Sequence, residues 1–181
     1  MKRTVLSFAA LGLLASLATT SVQAQGLTFG VGGGLLMPLS DFKDIAKTGW
    51  NGMASVGYAP GASPVSFRGD FMYAQNNLKS PVDGKTKLAG GIGSLVYTFP
   101  GGGSVTPYVL GGAGVFNAKV EATGFGSSSE TKFTWGGGAG IKFKAGSDAS
   151  IFAEGRYMSV STSGSSTKFI PITVGVSFGT K

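Results

Sequence analysis

The residues able to do chemistry in this 181-residue chain are few. Two short pairs stand apart, Arg68-Gly-Asp70 and Glu154-Gly-Arg156, each an acid two positions from an arginine. Two carboxylates brought together can act as general acid and base. Carboxylates beside guanidiniums can equally be a charge-neutral filling, because buried charges persist when they are paired. The second reading is the simpler one. There is no histidine and no cysteine. Ser-His-Asp and Cys-His nucleophiles, imidazole ligands, thiolate metal sites and disulfides are therefore outside the reach of this sequence. The other acids, Asp41, Asp44, Asp83, Glu121, Glu130 and Asp148, fall in segments that read as connections. The glycine runs at 32–34, 101–103 and 136–138 lack the strand-to-helix setting of a phosphate loop. No catalytic residue, metal site or cofactor is expected, and the chain reads as a non-enzyme.

A spacing of two puts acid and arginine on one face only if the backbone is extended. Period-two alternation is what recurs. Strands are expected at about 26–37, 50–59, 65–76, 86–98, 105–118, 131–144, 150–160 and 169–179, with a single helical turn within 41–47. In the third strand Val65, Phe67, Phe71 and Tyr73 oppose Arg68 and Asp70, and in the seventh Ile151, Ala153 and Tyr157 oppose Glu154 and Arg156. In the sixth, Phe133, Trp135, Ile141 and Phe143 oppose Lys132, Lys142 and Lys144. The fourth strand is ambiguous, and in the fifth Asn117 and Lys119 mark the odd face as the polar one. The last, FIPITVGVSF, alternates Ile170, Ile172, Val174, Val176 and Phe178 with Pro171, Thr173, Gly175 and Ser177.

What the apolar faces meet decides the function. Charged residues are 13% of the chain and 32 residues are glycine. That is about half the ordinary share of charge, a poor cover for a surface in water. The formal charge of +7 falls to +5 without Lys2 and Arg3, too mild and dispersed for nucleic-acid binding. Residues 1–24 combine a basic start, an apolar run from Val5 to Leu17 and the small-residue ending Ser21–Ala24. They read as a cleaved secretory signal peptide, since the run is shorter than the roughly 20 residues of a spanning helix. Residues 25–181 then form one domain. Short turn-rich connections (60–64, 100–104, 145–149) alternate with longer ones (38–49, 77–85, 119–130, 161–168), the last two rich in glycine and serine and expected to be flexible. That rhythm suits a barrel inserted from one side of a membrane, with short periplasmic turns and long outer loops. The expected fold is all-β, an eight-stranded antiparallel up-and-down transmembrane β-barrel.

Aromatic spacing points the same way. Trp50 and Tyr58, like Tyr108 and Phe116, are eight residues apart, which projects to roughly 20 Å along a membrane normal. Phe29, Tyr58, Tyr108, Phe143 and Phe178 are expected at a periplasmic girdle, and Trp50, Tyr73, Phe116, Trp135 and Tyr157 at an outer one. A narrow eight-stranded interior is not expected to hold so many rings. Lys87, Lys119, Lys132 and Lys168 fall at the outer ends of four strands. They are either solvated rim lysines or contacts to anionic lipid phosphates, such as those of lipopolysaccharide. Arg68, Asp70, Glu154 and Arg156 are expected to point inward from opposite walls and to pair, Arg68 with Glu154 and Asp70 with Arg156.

The ordered segments SFRGDFMYAQ, TPYVLGGAGV, WGGGAGIKFK, IFAEGRYMSV and FIPITVGVSF resemble the small outer-membrane β-barrel family of OmpA/OmpX type. The resemblance implies the bacterial outer membrane as location and outer-membrane lipid and the assembly machinery as partners. It also implies that the closing strand, through Ile172, Val174, Val176 and Phe178, carries the assembly signal, although Gly179-Thr180-Lys181 follow Phe178 here. The expected function is a monomeric, non-enzymatic structural or interaction scaffold presenting four extracellular loops, its lumen filled by side chains. The alternative is a narrow porin-like channel for small solutes.

Overall fold

The computed structural model describes residues 26–61, 63–80, 84–101, 103–122, 126–162 and 165–179. The expected signal peptide lies outside them. Eight antiparallel strands, β1 (Leu27–Leu39), β2 (Gly49–Tyr58), β3 (Val65–Asn77), β4 (Gly84–Thr98), β5 (Val105–Ala122), β6 (Gly126–Lys144), β7 (Ala149–Thr162) and β8 (Ser165–Gly179), each pair with the next. β8 returns to β1 and closes the barrel. One short helix, α1 (Asp41–Ile45), interrupts the first connection.

Following one row of paired residues around the wall gives the barrel's stagger. Ser159 faces Trp135, then Ala113, Gly93, Gly69, Val56, Phe29 and Phe178, and the row returns to β7 at Ala149, ten residues from where it began. A ten-residue stagger over eight strands requires a strand tilt of about 40° and a backbone radius of about 8 Å. Such an interior is one side chain deep from each wall. The short turns close one end of the barrel, where Gly61 and Gly101 take φ of +59° and +94°, a conformation glycine adopts without steric cost. We call this the turn end and the opposite one the loop end.

Two expected loops are mostly strand. β5 and β6 pair through Lys119↔Ser129 and Val120↔Ser128 up to Ala122↔Gly126, and β7 and β8 pair up to Thr162↔Ser165. Glycine and serine predict a loop only by correlation. Here ladder hydrogen bonds satisfy the backbone whatever the side chains are, and two hairpins project beyond the barrel where flexible loops were expected.

Candidate functional site

Alternation sends the even residues of β3 and β7 inward, and the wall's stagger brings the two strands' charges to one level. Arg68 Nη2 donates to Glu154 Oε2 at 2.7 Å, and Arg156 Nη1 lies 2.9 Å from Asp70 Oδ2. Arg156 Nε also donates to Glu154 Oε1, while Arg68 Nε sits 3.1 Å from one Asp70 oxygen and 3.3 Å from the other. Each carboxylate thus bridges both guanidiniums. The Tyr108 hydroxyl donates to Glu154 Oε2 at 2.8 Å, Lys142 Nζ stands 5.2 Å from the Tyr108 ring centre, and Arg156 Nη2 donates to the Met53 thioether at 3.3 Å. Asp70, Glu154 and Arg156 are buried. Acid–base work needs a carboxylate free to exchange a proton, and both of these are held by ion pairs.

Tyr108 and Phe116 require a correction. Neither belongs to an outward girdle: both point into the lumen and are 1% exposed. The odd residues of β5, including Val109 and Val115, face out instead. Asn117 and Lys119, which suggested the opposite, also face out, but near the loop end where the wall meets water. The lumen accommodates large side chains because their partners across the ladder are glycines. Tyr108 pairs with Gly140, Phe116 with Gly90, Met158 with Gly136 and Phe152 with Gly175. A Cβ at Gly90 would lie 2.6 Å from Phe116 Cγ, and one at Gly136 2.6 Å from Met158 Sδ. Each missing methyl is the recess that seats a neighbour. β4 resolves in the same way, with Leu88, Ile92, Ser94 and Val96 inward and Leu95 and Tyr97 outward.

The remaining girdle candidates all face outward and stand at two levels. With a rise of about 3.3 Å and a tilt of about 40°, Trp50, Tyr73, Trp135 and Tyr157 come within about 3 Å of one height, and Phe29, Tyr58, Phe143 and Phe178 lie about 18 Å below them. Trp50 contacts Tyr73, and Trp135 contacts Tyr157, with ring centres 5.5 and 6.0 Å apart. Tyr97, unassigned in the sequence because β4 was ambiguous, joins the lower ring. The ionic cluster lies midway between the two levels. Above it, at the height of the upper ring, the lumen is closed by an apolar layer that includes Leu36, Leu88, Phe116, Met158, Val160 and Phe169.

The lysines divide. Lys87, Lys119 and Lys168 face outward about 6–12 Å above the upper ring, whereas Lys132 points into the mouth and pairs with Glu130 at 2.9 Å. Lys87 and Lys119 both bind Glu121, at 2.8 and 2.9 Å. Glu121 stands about 17 Å above the upper ring. Hydrogen bonds from Lys87 and then Lys119 hold its carboxyl down at about 2. A depressed carboxylate keeps its contacts until pH falls through that value, so this triplet is unchanged across ordinary external pH. Ile172, Val174, Val176 and Phe178 form the outward face of β8.

Sequence reasoning missed two lumen groups. Asn51 donates to Leu35 O at 2.8 Å and accepts from Thr173 Oγ1 at 2.8 Å, tying β1, β2 and β8 together. Phe42 of α1 is buried in the apolar layer and anchors the first connection over the mouth. No signal short of strand register marks Asn51. A lone aromatic among the charged residues of the turn DFKDI is the one hint for Phe42.

Solved structures share this architecture. Neisserial surface protein A superposes with a TM-score of 0.67 at 19% identity, covering 86% of this chain and 97% of its own. Ail, the attachment invasion locus protein of Yersinia pestis, superposes with a TM-score of 0.59 at 20% identity, covering 85% and 98%. Ail has also been solved with the heparin analogue sucrose octasulfate. Among curated proteins, no sequence matches. The sequence model for the outer membrane protein beta-barrel domain matches residues 7–178, and with a closed eight-stranded barrel, an outward apolar band and a charged interior, this chain belongs to that outer-membrane β-barrel family.

Proposed function

We propose that the protein is a closed, non-conducting and non-enzymatic scaffold that presents its loop end outside the cell and acts as a monomer. The observation that carries this reading is the lumen, where a neutral ionic layer and an apolar layer stand in series. An ion crossing the barrel would have to break the paired charges and then shed its water among Leu36, Phe116 and Phe169, and desolvating a charge without a partner is costly. The aromatic rings mark the two interfaces of the membrane in this reading, with the turn end periplasmic. The outward face of β8 offers Ile172, Val174, Val176 and Phe178 to the assembly machinery. Refolded protein in a planar bilayer should show no stable open state. A steady conductance in the wild type would instead make it the narrow channel.

The outward lysines suit anionic outer-leaflet lipid, because Lys87, Lys119 and Lys168 stand just above the upper ring, where lipid phosphates would lie. The sucrose octasulfate bound by Ail is a polyanion of comparable chemistry. Changing all three outward lysines to glutamine should remove most of the lipopolysaccharide that co-purifies, while Lys132→Gln, inside the mouth and turned away from the lipid, should leave it unchanged. Equal lipid in the triple variant and the parent would reduce the lysines to solvated rim residues.

A further inference from the structure

At the loop end the barrel holds a cavity of about 570 Å³ that the ionic cluster does not use. Its floor is Leu88 and Val160, each 1% exposed, and Ala118 and Val120 line its wall. The roof comes from two connections that are tied to one another. Ala46 bridges Leu78, the Lys79 amide donates to Ile45 O at 2.9 Å, and Lys79 Nζ donates to Lys43 O at 2.7 Å. Phe42 anchors this roof in the apolar layer below. The volume lies inside the 300–1,000 Å³ range usual for small-molecule sites, which are likewise mainly apolar with a few placed polar groups.

Charge narrows the occupant. Around the loop end, eight lysines (43, 47, 79, 85, 87, 119, 132 and 168) stand against Asp41, Asp44, Glu121 and Glu130 among the described residues. Within the cavity, Lys132 is offset by Glu130, and Asp44 is the one further acid on the lining. Lys79 also lines the cavity, and its ammonium donates to a backbone carbonyl and makes no ion pair among the described residues. Asp44 balances it only across the lining, and the excess of positive charge lies around the mouth. An apolar chamber with a cation at its rim fits a molecule with an apolar tail and an anionic end.

We propose that this chamber binds a free single-chain anionic amphiphile from the external medium, its alkyl chain against Leu88, Val120 and Val160 and its carboxylate at Lys79. The test uses the protein in phosphatidylcholine nanodiscs with radiolabelled dodecanoate as probe and empty nanodiscs as the blank. One saturable site per barrel is expected. Ala118→Trp, which fills the chamber, should weaken binding at least tenfold while the SDS-resistant folded band persists. Should that variant fail to fold, Val120→Trp, on the hairpin above the barrel, carries the same test. Lys79→Gln should weaken dodecanoate several-fold and leave dodecanol binding unchanged. Binding no greater than to empty nanodiscs, or equal in the parent and the filled variant, overturns the proposal. Neither result bears on conductance, so this inference and the closed-lumen reading fail separately.

Discussion

Glu154→Ala is expected to lower the temperature at which the SDS-resistant folded band is lost by on the order of 10 °C. Glu154 accepts hydrogen bonds from Arg68, Arg156 and the Tyr108 hydroxyl. Its removal leaves two guanidiniums and the nearby Lys142 facing Asp70 alone. Stripping one partner from a buried ion pair costs about 3–5 kcal/mol, and a chain of this length loses about 2–4 °C per kcal/mol. The cost exceeds what the pair is worth, because it is dominated by the charges left behind. Glu154→Gln keeps the shape and one acceptor oxygen, so it should fall between parent and alanine. Removing charge at both ends separates the two contributions. Glu154→Gln combined with Arg68→Gln should recover part of the loss, since the double variant leaves Asp70 and Arg156 as a neutral pair and strands no charge. A Glu154→Ala barrel that melts with its parent would show that water fills the lumen well enough to solvate the arginines, and the closed reading would fall with it.

How much of this was legible in the sequence follows from what each signal reports. Alternation shows which residues share a face, so the inward charges of β3 and β7 and the outward aromatics of β2, β6 and β8 could be read directly. Opposite placement of β3 and β7 follows from counting eight strands. Polarity, however, reports water and not the lumen. Asn117 and Lys119 are polar because β5 continues past the membrane, and taking them as lumen residues turned Tyr108 and Phe116 outward. The apolar face of β4 was hidden for the converse reason. Leu88, Ile92 and Val96 line a lumen that is apolar at those levels, so both faces of the strand look alike. The glycine recesses were beyond reach altogether. Gly140 and Tyr108, or Gly90 and Phe116, belong to different strands, and only the register makes them partners.

That register yields the second large effect, from two glycines three residues apart in one strand. Gly90 of β4 faces the lumen, where an added Cβ would strike Phe116 Cγ at 2.6 Å and also meet the Val115 carbonyl oxygen of the next strand. The ring is fully buried and the carbonyl is fixed in the ladder, so neither can give way. Gly93 faces outward, and the nearest atom to its added Cβ is the Ala113 carbonyl oxygen at 4.0 Å. Gly90→Leu should therefore destabilise the barrel by about 3 kcal/mol or more, the upper end of the usual overpacking cost, and most of the refolded protein should lose the SDS-resistant band. Gly93→Leu places the same side chain against lipid tails and should refold like its parent. Trimming the ring supplies the control. Gly90→Leu with Phe116→Ala should regain part of the band, because the new side chain then occupies the space the ring has left while the contact with the Val115 carbonyl oxygen remains, and the two changes should be non-additive. Reversed behaviour, with Gly93→Leu losing the band and Gly90→Leu keeping it, would mean that β4 is turned the other way and would overturn the assignment of Tyr97 to the outward surface. Equal behaviour would mean that the Phe116 recess does not limit packing. A slip of β4 by one residue against both neighbours exchanges every inward and outward side chain of that strand, while the stagger of ten around the barrel stays the same.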